Sequence, residues 1–303
     1  MRRFVIIVGM LAMLLAPARL YAAEGDLLAA QRAYAGKDYA EAFRLYGSAA
    51  ESGVAEAQYR LALLYDRGQG TEPDAARAYQ WFREAAMQGH AEAQRVVGVF
   101  FDEGKVVEAD PAEAARWYAK AARQDNAKAL RNLGQLYVHG RGVDVDRATA
   151  ARHLQRAADL GNVKAMRNLA YLYYFGSGVR RDRDRAAVLF RAAADAGVSK
   201  AQYNLGFVHY QGHGVRRDAA VAAGFFGRAA QQGHPDAQLM LARLYLLGEG
   251  VERDFDKAYF WALLGALQKP VLAEWHFDRL RGKLPLRRMD EIRAQVGAWH
   301  PVD

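Results

Sequence analysis

The sequence predicts an all-α chain of stacked helix–loop–helix repeats with a period of 36 residues, closed by further helices at both ends. Three observations predict it. An alanine returns at a fixed interval, glycines punctuate each interval at fixed places, and an aspartate precedes each second helix. The alanines are Ala57, Ala93, Ala129, Ala165, Ala201 and Ala237, each 36 residues after the last. With such a period, 303 residues read as one array, although length alone would suggest two ordinary domains.

The N-terminal segment reads as an export signal. Arg2 and Arg3 form a basic start, and Phe4 to Ala16 is an apolar run too short for a comfortable membrane span, which needs about 20 residues. Small residues follow in Ala16-Pro17-Ala18 and Tyr21-Ala22-Ala23. Cleavage after Ala18 fits the small-x-small pattern. The later site, giving a signal over residues 1–22, is favoured because Glu24-Gly25-Asp26 opens a polar chain. No cysteine follows the apolar run, so a lipoprotein anchor is excluded. The expected location is periplasmic or secreted, with no stable membrane insertion after cleavage. Without cysteine the fold rests on packing alone. Losing Arg2, Arg3 and Arg19 lowers the net charge from +8 to +5, too diffuse to argue for nucleic acid.

Residues 23–56 are expected to form an N-terminal capping hairpin with a shorter loop, its second helix running from Asp38 to Ser52. Six full repeats follow over 57–268. In each first helix the alanine is followed four residues on by Leu61, Val97, Leu133, Leu169, Leu205 or Leu241, then by a small residue. Three further on stand Tyr65, Phe101, Tyr137, Tyr173, His209 and Tyr245. The spacing i, i+4, i+5, i+8 marks one face of a helix. Glycine at 68, 104, 140, 176, 212 and 248 ends that helix with positive φ. A second glycine stands two residues later, except at Val106.

Asp74, Asp110, Asp146, Asp182, Asp218 and Asp254 then cap the second helix through its free amides. Asp110, Pro111 and Glu113 together predict a capping box. The second helix carries alanines and bulky pairs such as Trp81-Phe82 and Phe225-Phe226, and ends near Gly89, Gly161, Gly197 and Gly233, with Asp125 once in place of glycine. Downstream of Lys269 the period dissolves, and two closing helices are expected at Leu272–Leu280 and Met289–Trp299 within 269–303.

The run Ala201-Gln202-Tyr203-Asn204-Leu205-Gly206, leading to Gly212-His213-Gly214-Val215 and Asp218, resembles the Sel1-like repeat, a relative of the tetratricopeptide repeat. Leu244 to Val251 matches it again. The resemblance implies a right-handed α-solenoid acting as an adaptor or scaffold. The N-terminal hairpin resembles a tetratricopeptide repeat. Exported members of the family are associated with envelope regulation, exopolysaccharide systems and host interaction. Cysteine-stapled members resemble β-lactam-binding proteins, and the lack of cysteine argues against that subgroup.

By analogy with the tetratricopeptide fold, the first helices line a concave groove. Two residues before the buried leucine stand Tyr59, Arg95, Arg131, Arg167, Tyr203 and Leu239. The other groove positions bring Tyr171 and Phe207, then Tyr174, Tyr210 and Leu246. Lys128, Lys164 and Lys200 recur near the helix starts, and Asn132, Asn168 and Asn204 form a further row. Arginine grips carboxylates in a fork, tyrosine gives rigid contact area, and amides pair with extended backbone. The asparagines equally suit bonds to neighbouring backbone, and the aromatics equally suit packing between repeats. The expected partner is a protein or peptide segment carrying acidic groups in the cell envelope. An anionic polysaccharide, with tyrosines stacked on sugar rings, is the alternative.

Catalysis is not expected. The eight histidines form no HExxH or other metal-ligand spacing, and there is no Gly-x-Ser-x-Gly. The carboxylates mostly recur with the period, as caps. The Gly-x-Gly pairs join two helices instead of following a strand, so no dinucleotide cofactor is expected. A hydrolase built from carboxylates meeting across repeats is the remote remaining option.

Overall fold

The computed structural model describes residues 23–302. The expected signal, 1–22, lies outside the described residues. Among them are sixteen helices and no strand. A first helix, α1 (residues 23–35), and α2 (Tyr39–Glu51) make the N-terminal hairpin. The first helices of the repeats are α3 (Ala55–Arg67), α5 (Ala91–Glu103), α7 (Ala127–His139), α9 (Val163–Phe175), α11 (Ser199–Gln211) and α13 (Pro235–Leu247). The second helices are α4 (Ala75–Met87), α6 (Pro111–Ala122), α8 (Arg147–Asp159), α10 (Arg183–Asp195), α12 (Ala219–Gln231) and α14 (Phe255–Ala266). The chain closes with α15 (Pro270–Leu280) and α16 (Leu286–Gly297). It forms two compact units, divided after Asp146. Within each, helices pack on their sequence neighbours, the repeat-based helical solenoid that the period predicts.

The spacing predicts the core. The periodic alanines are fully buried, with Leu61, Val97, Leu133, Leu169, Leu205 and Leu241 beside them. The second member of each bulky pair, Phe82, Tyr118, Phe190 or Phe226, points inward from the second helix. Its ring lies over the small residue of the first helix. A Cβ on Gly98 would meet Tyr118 at 2.6 Å, and one on Gly206 would meet Phe226 at 2.8 Å. Small residues thus set how closely the two helices approach, and the rings fill the space that remains.

The loop is held from both sides. The first glycine takes a left-handed conformation and caps the first helix in every repeat, from Gly68 (φ 64°) to Gly248 (φ 73°). The capping aspartate does two jobs. Its carboxylate accepts an amide of the second helix, as from Asp218 to Val221 at 2.9 Å. Its own N–H closes the loop by donating to the carbonyl of the repeat aromatic residue, Asp110 to Phe101 at 2.9 Å and Asp218 to His209 at 2.9 Å. That second bond explains why the expected capping box is only half made. Asp110 accepts from Ala112 and Glu113, but its N–H is already engaged, and the Glu113 carboxylate turns to Arg116 instead.

The second glycine has a stronger reason than its φ. A Cβ on Gly142, Gly178, Gly214 or Gly250 would fall about 2.2–2.3 Å from the backbone of Pro111, Arg147, Arg183 or Ala219, the first residue of the preceding second helix. Each loop therefore seats on the helix start of the repeat before it. At Val106 the left-handed conformation persists (φ 66°) without glycine. There a cavity of about 540 Å³ opens, with Ala75, the first residue of α4, and Val106 both on its wall.

Beyond Lys269 one mark of the period persists, since Ala273 stands 36 residues after Ala237 and is fully buried, while the small residue, the aromatic and both glycines give way to Asp278, Arg281, Leu284 and Leu286. In α15, His276 donates from Nε2 to the Leu239 carbonyl at 2.9 Å, which ties α15 to α13. Leu239 packs against α14, where a Cβ on Gly265 would meet its Cδ2 at 2.6 Å, and α14–α16 bury Leu246, which ends both groove rows there. The closing helix α16 begins three residues before the expected Met289, where Pro285 sets the turn into it.

Candidate functional site

In the C-terminal unit the first helices α9 and α11 and the second helix α10 enclose a cavity of about 190 Å³. Tyr171, Tyr174 and Phe175 form one wall, and Tyr203, Phe207 and Val208 the other. Phe190 of α10, 2% exposed, closes the floor. Tyr171 meets Phe190 edge to face with centroids 5.3 Å apart, and Tyr174 meets Phe175 likewise at 4.9 Å, so the aromatic walls brace each other. The remaining lining residue is Asn204, 7% exposed. Its Oδ1 accepts from the Tyr171 hydroxyl at 2.8 Å, while its Nδ2 is buried with no acceptor. An unpaired buried donor costs about 1–3 kcal/mol. A ligand that brings an acceptor removes that cost.

Around the cavity the predicted residues are tied into the next repeat. Tyr174 bonds through its hydroxyl to His213, and Tyr210 donates to Glu249 at 2.7 Å. Tyr203 stacks on His234 with centroids 4.8 Å apart, and its hydroxyl is pushed by burial up to about 12. Burial likewise holds His234 below the ordinary histidine value. That ring accepts the Ala237 amide, as His90 accepts that of Ala93 at 3.1 Å, while His90 also bonds Glu56. Tyr59 stacks on His90 as Tyr203 does on His234.

The arginine and asparagine rows bond to each other. Arg131 donates to Asn132 at 2.6 Å and Arg167 to Asn168 at 2.8 Å, whereas Arg95 donates to Glu92 at 2.7 Å. Of these, Arg95 and Arg131 belong to the N-terminal unit and Arg167 to the C-terminal one. Arg95 lines the cavity beside Val106. Lys128 and Lys164 are exposed. The structure therefore gathers Tyr171, Tyr174, Tyr203, Phe207 and Asn204 at one cavity and leaves Tyr59, Arg95, Arg131, Asn132, Lys128, Lys164, Arg167, Asn168 and Tyr210 off its lining.

Phe175, Phe190 and Val208 were not among the expected groove residues. Phe175 carries a readable signal: 67% exposed, it stands where four of the other five repeats have Arg67, Glu103, His139 and Gln211 and the last has Leu247. The structure also contains a ladder of buried glutamines. Gln58, Gln94, Gln202 and Gln238 each donate to a carbonyl near the end of the preceding second helix, and Gln88, Gln124 and Gln232 donate to the first three. Among the described residues no group of three or more His, Asp or Glu stands where it could hold a metal ion, and no helix is long and apolar enough to cross a membrane.

Comparison with known proteins fixes the family. The Sel1 repeat profile matches seven consecutive segments, residues 30–54, 55–90, 91–126, 127–162, 163–198, 199–234 and 235–270. The chain is a Sel1-repeat protein. The first of its seven matches lies on the N-terminal hairpin, and the others begin at each first helix. A Sel1 repeat protein from Oxalobacter formigenes is 31% identical to it, with a TM-score of 0.73 over 79% of this chain and 96% of the other. A protective antigen present in uropathogenic Escherichia coli strains shares the fold at 24% identity and a TM-score of 0.53, over 92% of this chain and 85% of its own. Among curated proteins none matches closely enough to count as a relative. Sel1-repeat proteins are in general protein-interaction scaffolds and typically non-catalytic.

Proposed function

We propose that this Sel1-repeat protein is a non-enzymatic adaptor of the cell envelope that holds a protein segment against the first helices of its C-terminal unit. The carrying observation is the aromatic cavity with the unpaired Asn204 amide. At about 190 Å³ it exceeds the engineered apolar cavities of about 150 Å³ that take up benzene, so one large apolar side chain fits it. The Asn204 Nδ2 then meets a carbonyl of the same segment. Rigid aromatics around a desolvated centre are what concentrates binding energy at protein interfaces. Envelope location rests on the N-terminal segment, and fractionation of cells expressing the full chain tests it.

Site-specific photo-crosslinking in cells tests the binding face. A photoreactive residue is placed at Phe175 on the cavity rim or at Val188, equally exposed (69%) on α10. A discrete protein adduct from position 175 alone is expected. Equal adducts from both positions, or none from 175, would refute the assignment of this face.

A further inference from the structure

We infer that the segment held at this cavity is acidic, and that Arg180, Arg181, Arg216 and Arg217 read its carboxylates. The inference rests on the peptide-binding reading of the C-terminal unit and adds the chemistry of the partner.

The first support is where the charge sits. Residues 147–217 carry 13 Lys and Arg against 4 Asp and Glu, whereas residues 23–146 carry 15 against 19. The basic excess is thus confined to the stretch that builds the cavity. The second support is a charge reversal inside the repeat. Two residues before the capping aspartate stand Glu72, Glu108, Asp144, Arg180, Arg216 and Glu252. Four loops carry a carboxylate there and fold the same turn, so the turn does not require arginine. The next position brings Arg181 and Arg217 beside the first two. Four exposed guanidinium groups on two consecutive loops make an edge that attracts anions, with Arg217 held there by its Nε bond to the Tyr210 carbonyl at 3.2 Å.

The third support is continuity with the cavity. Gly214 seats its loop against the Arg183 carbonyl, which follows directly on the preceding loop, so the two loops lie side by side. His213, from the second loop, bonds the hydroxyl of Tyr174, a wall of the cavity. The Arg183 guanidinium lies 5.4 Å from the centre of the Tyr174 ring, and its Nε is buried without a partner. An apolar anchor in the cavity therefore places neighbouring residues of the same segment against the arginine edge. There planar guanidinium groups donate to carboxylates in a fork.

The test is selection of a random library of short linear peptides on the full chain at low ionic strength, where surface charge is least screened. Expected are peptides with one large apolar residue within a few positions of two or more Asp or Glu. The affinity of such a peptide should fall about tenfold or more in Arg180→Glu/Arg216→Glu, a change the fold accepts because Glu72, Glu108 and Glu252 already stand there. It should fall comparably in Phe175→Glu, which copies Glu103. Selected peptides without acidic bias, or bound equally by the double variant while Phe175→Glu abolishes binding, overturn the inference and leave the cavity reading standing. No selected peptide, or binding indifferent to both variants, overturns both. A polyuronate oligosaccharide that binds more tightly than any selected peptide, with Phe175→Glu without effect, also overturns both.

Discussion

Gly161 and Gly214 share a left-handed backbone, with φ 81° and 78°, and differ in what surrounds them. A Cβ on Gly161 meets open space, while one on Gly214 would lie 2.2 Å from the Arg183 carbonyl oxygen. Gly161→Ala should therefore cost only the left-handed backbone, about 1 kcal/mol. Gly214→Ala must also displace backbone and should cost about 3 kcal/mol or more. Native-state hydrogen exchange, read on α8 and α9 for the first variant and on α10 and α12 for the second, gives each loss locally, which suits a repeat array better than one global midpoint. Equal losses for the two variants would contradict the seating of the loop. Val106 is the converse case. A β-branched residue at φ 66° is strained, and Val106→Gly should stabilise its loop by up to about 1 kcal/mol.

Between helices, the glutamine ladder ties four of the six first helices to the second helix before them. Gln94 donates to the Ala86 carbonyl at 3.1 Å and accepts from Gln124 at 2.9 Å. Leu130 and Met166 hold the same place in the next two repeats, so the ladder is one of two solutions. Gln94→Ala removes both bonds and leaves a void, with an expected loss of about 1–3 kcal/mol. Gln94→Leu restores the volume and should lose less, as hydrogen-exchange protection of α4 and α5 will read. Were Leu as costly as Ala, the bonds and not the packing would be what this position supplies. At the helix starts, His90 and His234 do the work that Asn126 and Asn162 do in other repeats, each accepting the amide three residues on.

At the scale of the whole molecule, the two units differ in how acid reaches them. His153, His209, His213, His234 and His276 all lie in the C-terminal unit, each held below 6.5, in the first place by burial. A depressed histidine pKa means that the unfolded chain binds more protons. Stability from these groups is therefore complete above about pH 6.5 and is lost as pH falls through the lower folded values. In the N-terminal unit Glu56, held down mainly by its bond to His90, contributes stability present above 4.5 and lost as pH falls below it. Between pH 7 and 5 the C-terminal unit should thus lose hydrogen-exchange protection first. Simultaneous loss, or earlier loss from the N-terminal unit, would show that the buried histidines do not govern the response. The unit that weakens is also the one that carries the cavity, so partner binding should weaken over the same interval.

The sequence by itself determined the repeat and most of what builds it. An i, i+4 face, a glycine that must turn left-handed and an aspartate that caps a helix act over a few residues. Six copies of each make them legible. It also brought Tyr171, Tyr174, Tyr203, Asn204 and Phe207 to one face, because stacking at a fixed period aligns equivalent positions. The tertiary structure decided what those positions do. Tyr171 reaches Asn204 across 33 residues and Tyr174 reaches His213 across 39, so each bond depends on the exact offset between neighbouring first helices. Whether Arg131 and Arg167 face a ligand or bond the adjacent asparagine is a choice of rotamer, and no period records it. The unpaired Asn204 amide, the floor made by Phe190 and the bond of α15 to the Leu239 carbonyl follow from which volumes are filled. That is settled only when every neighbour is in place.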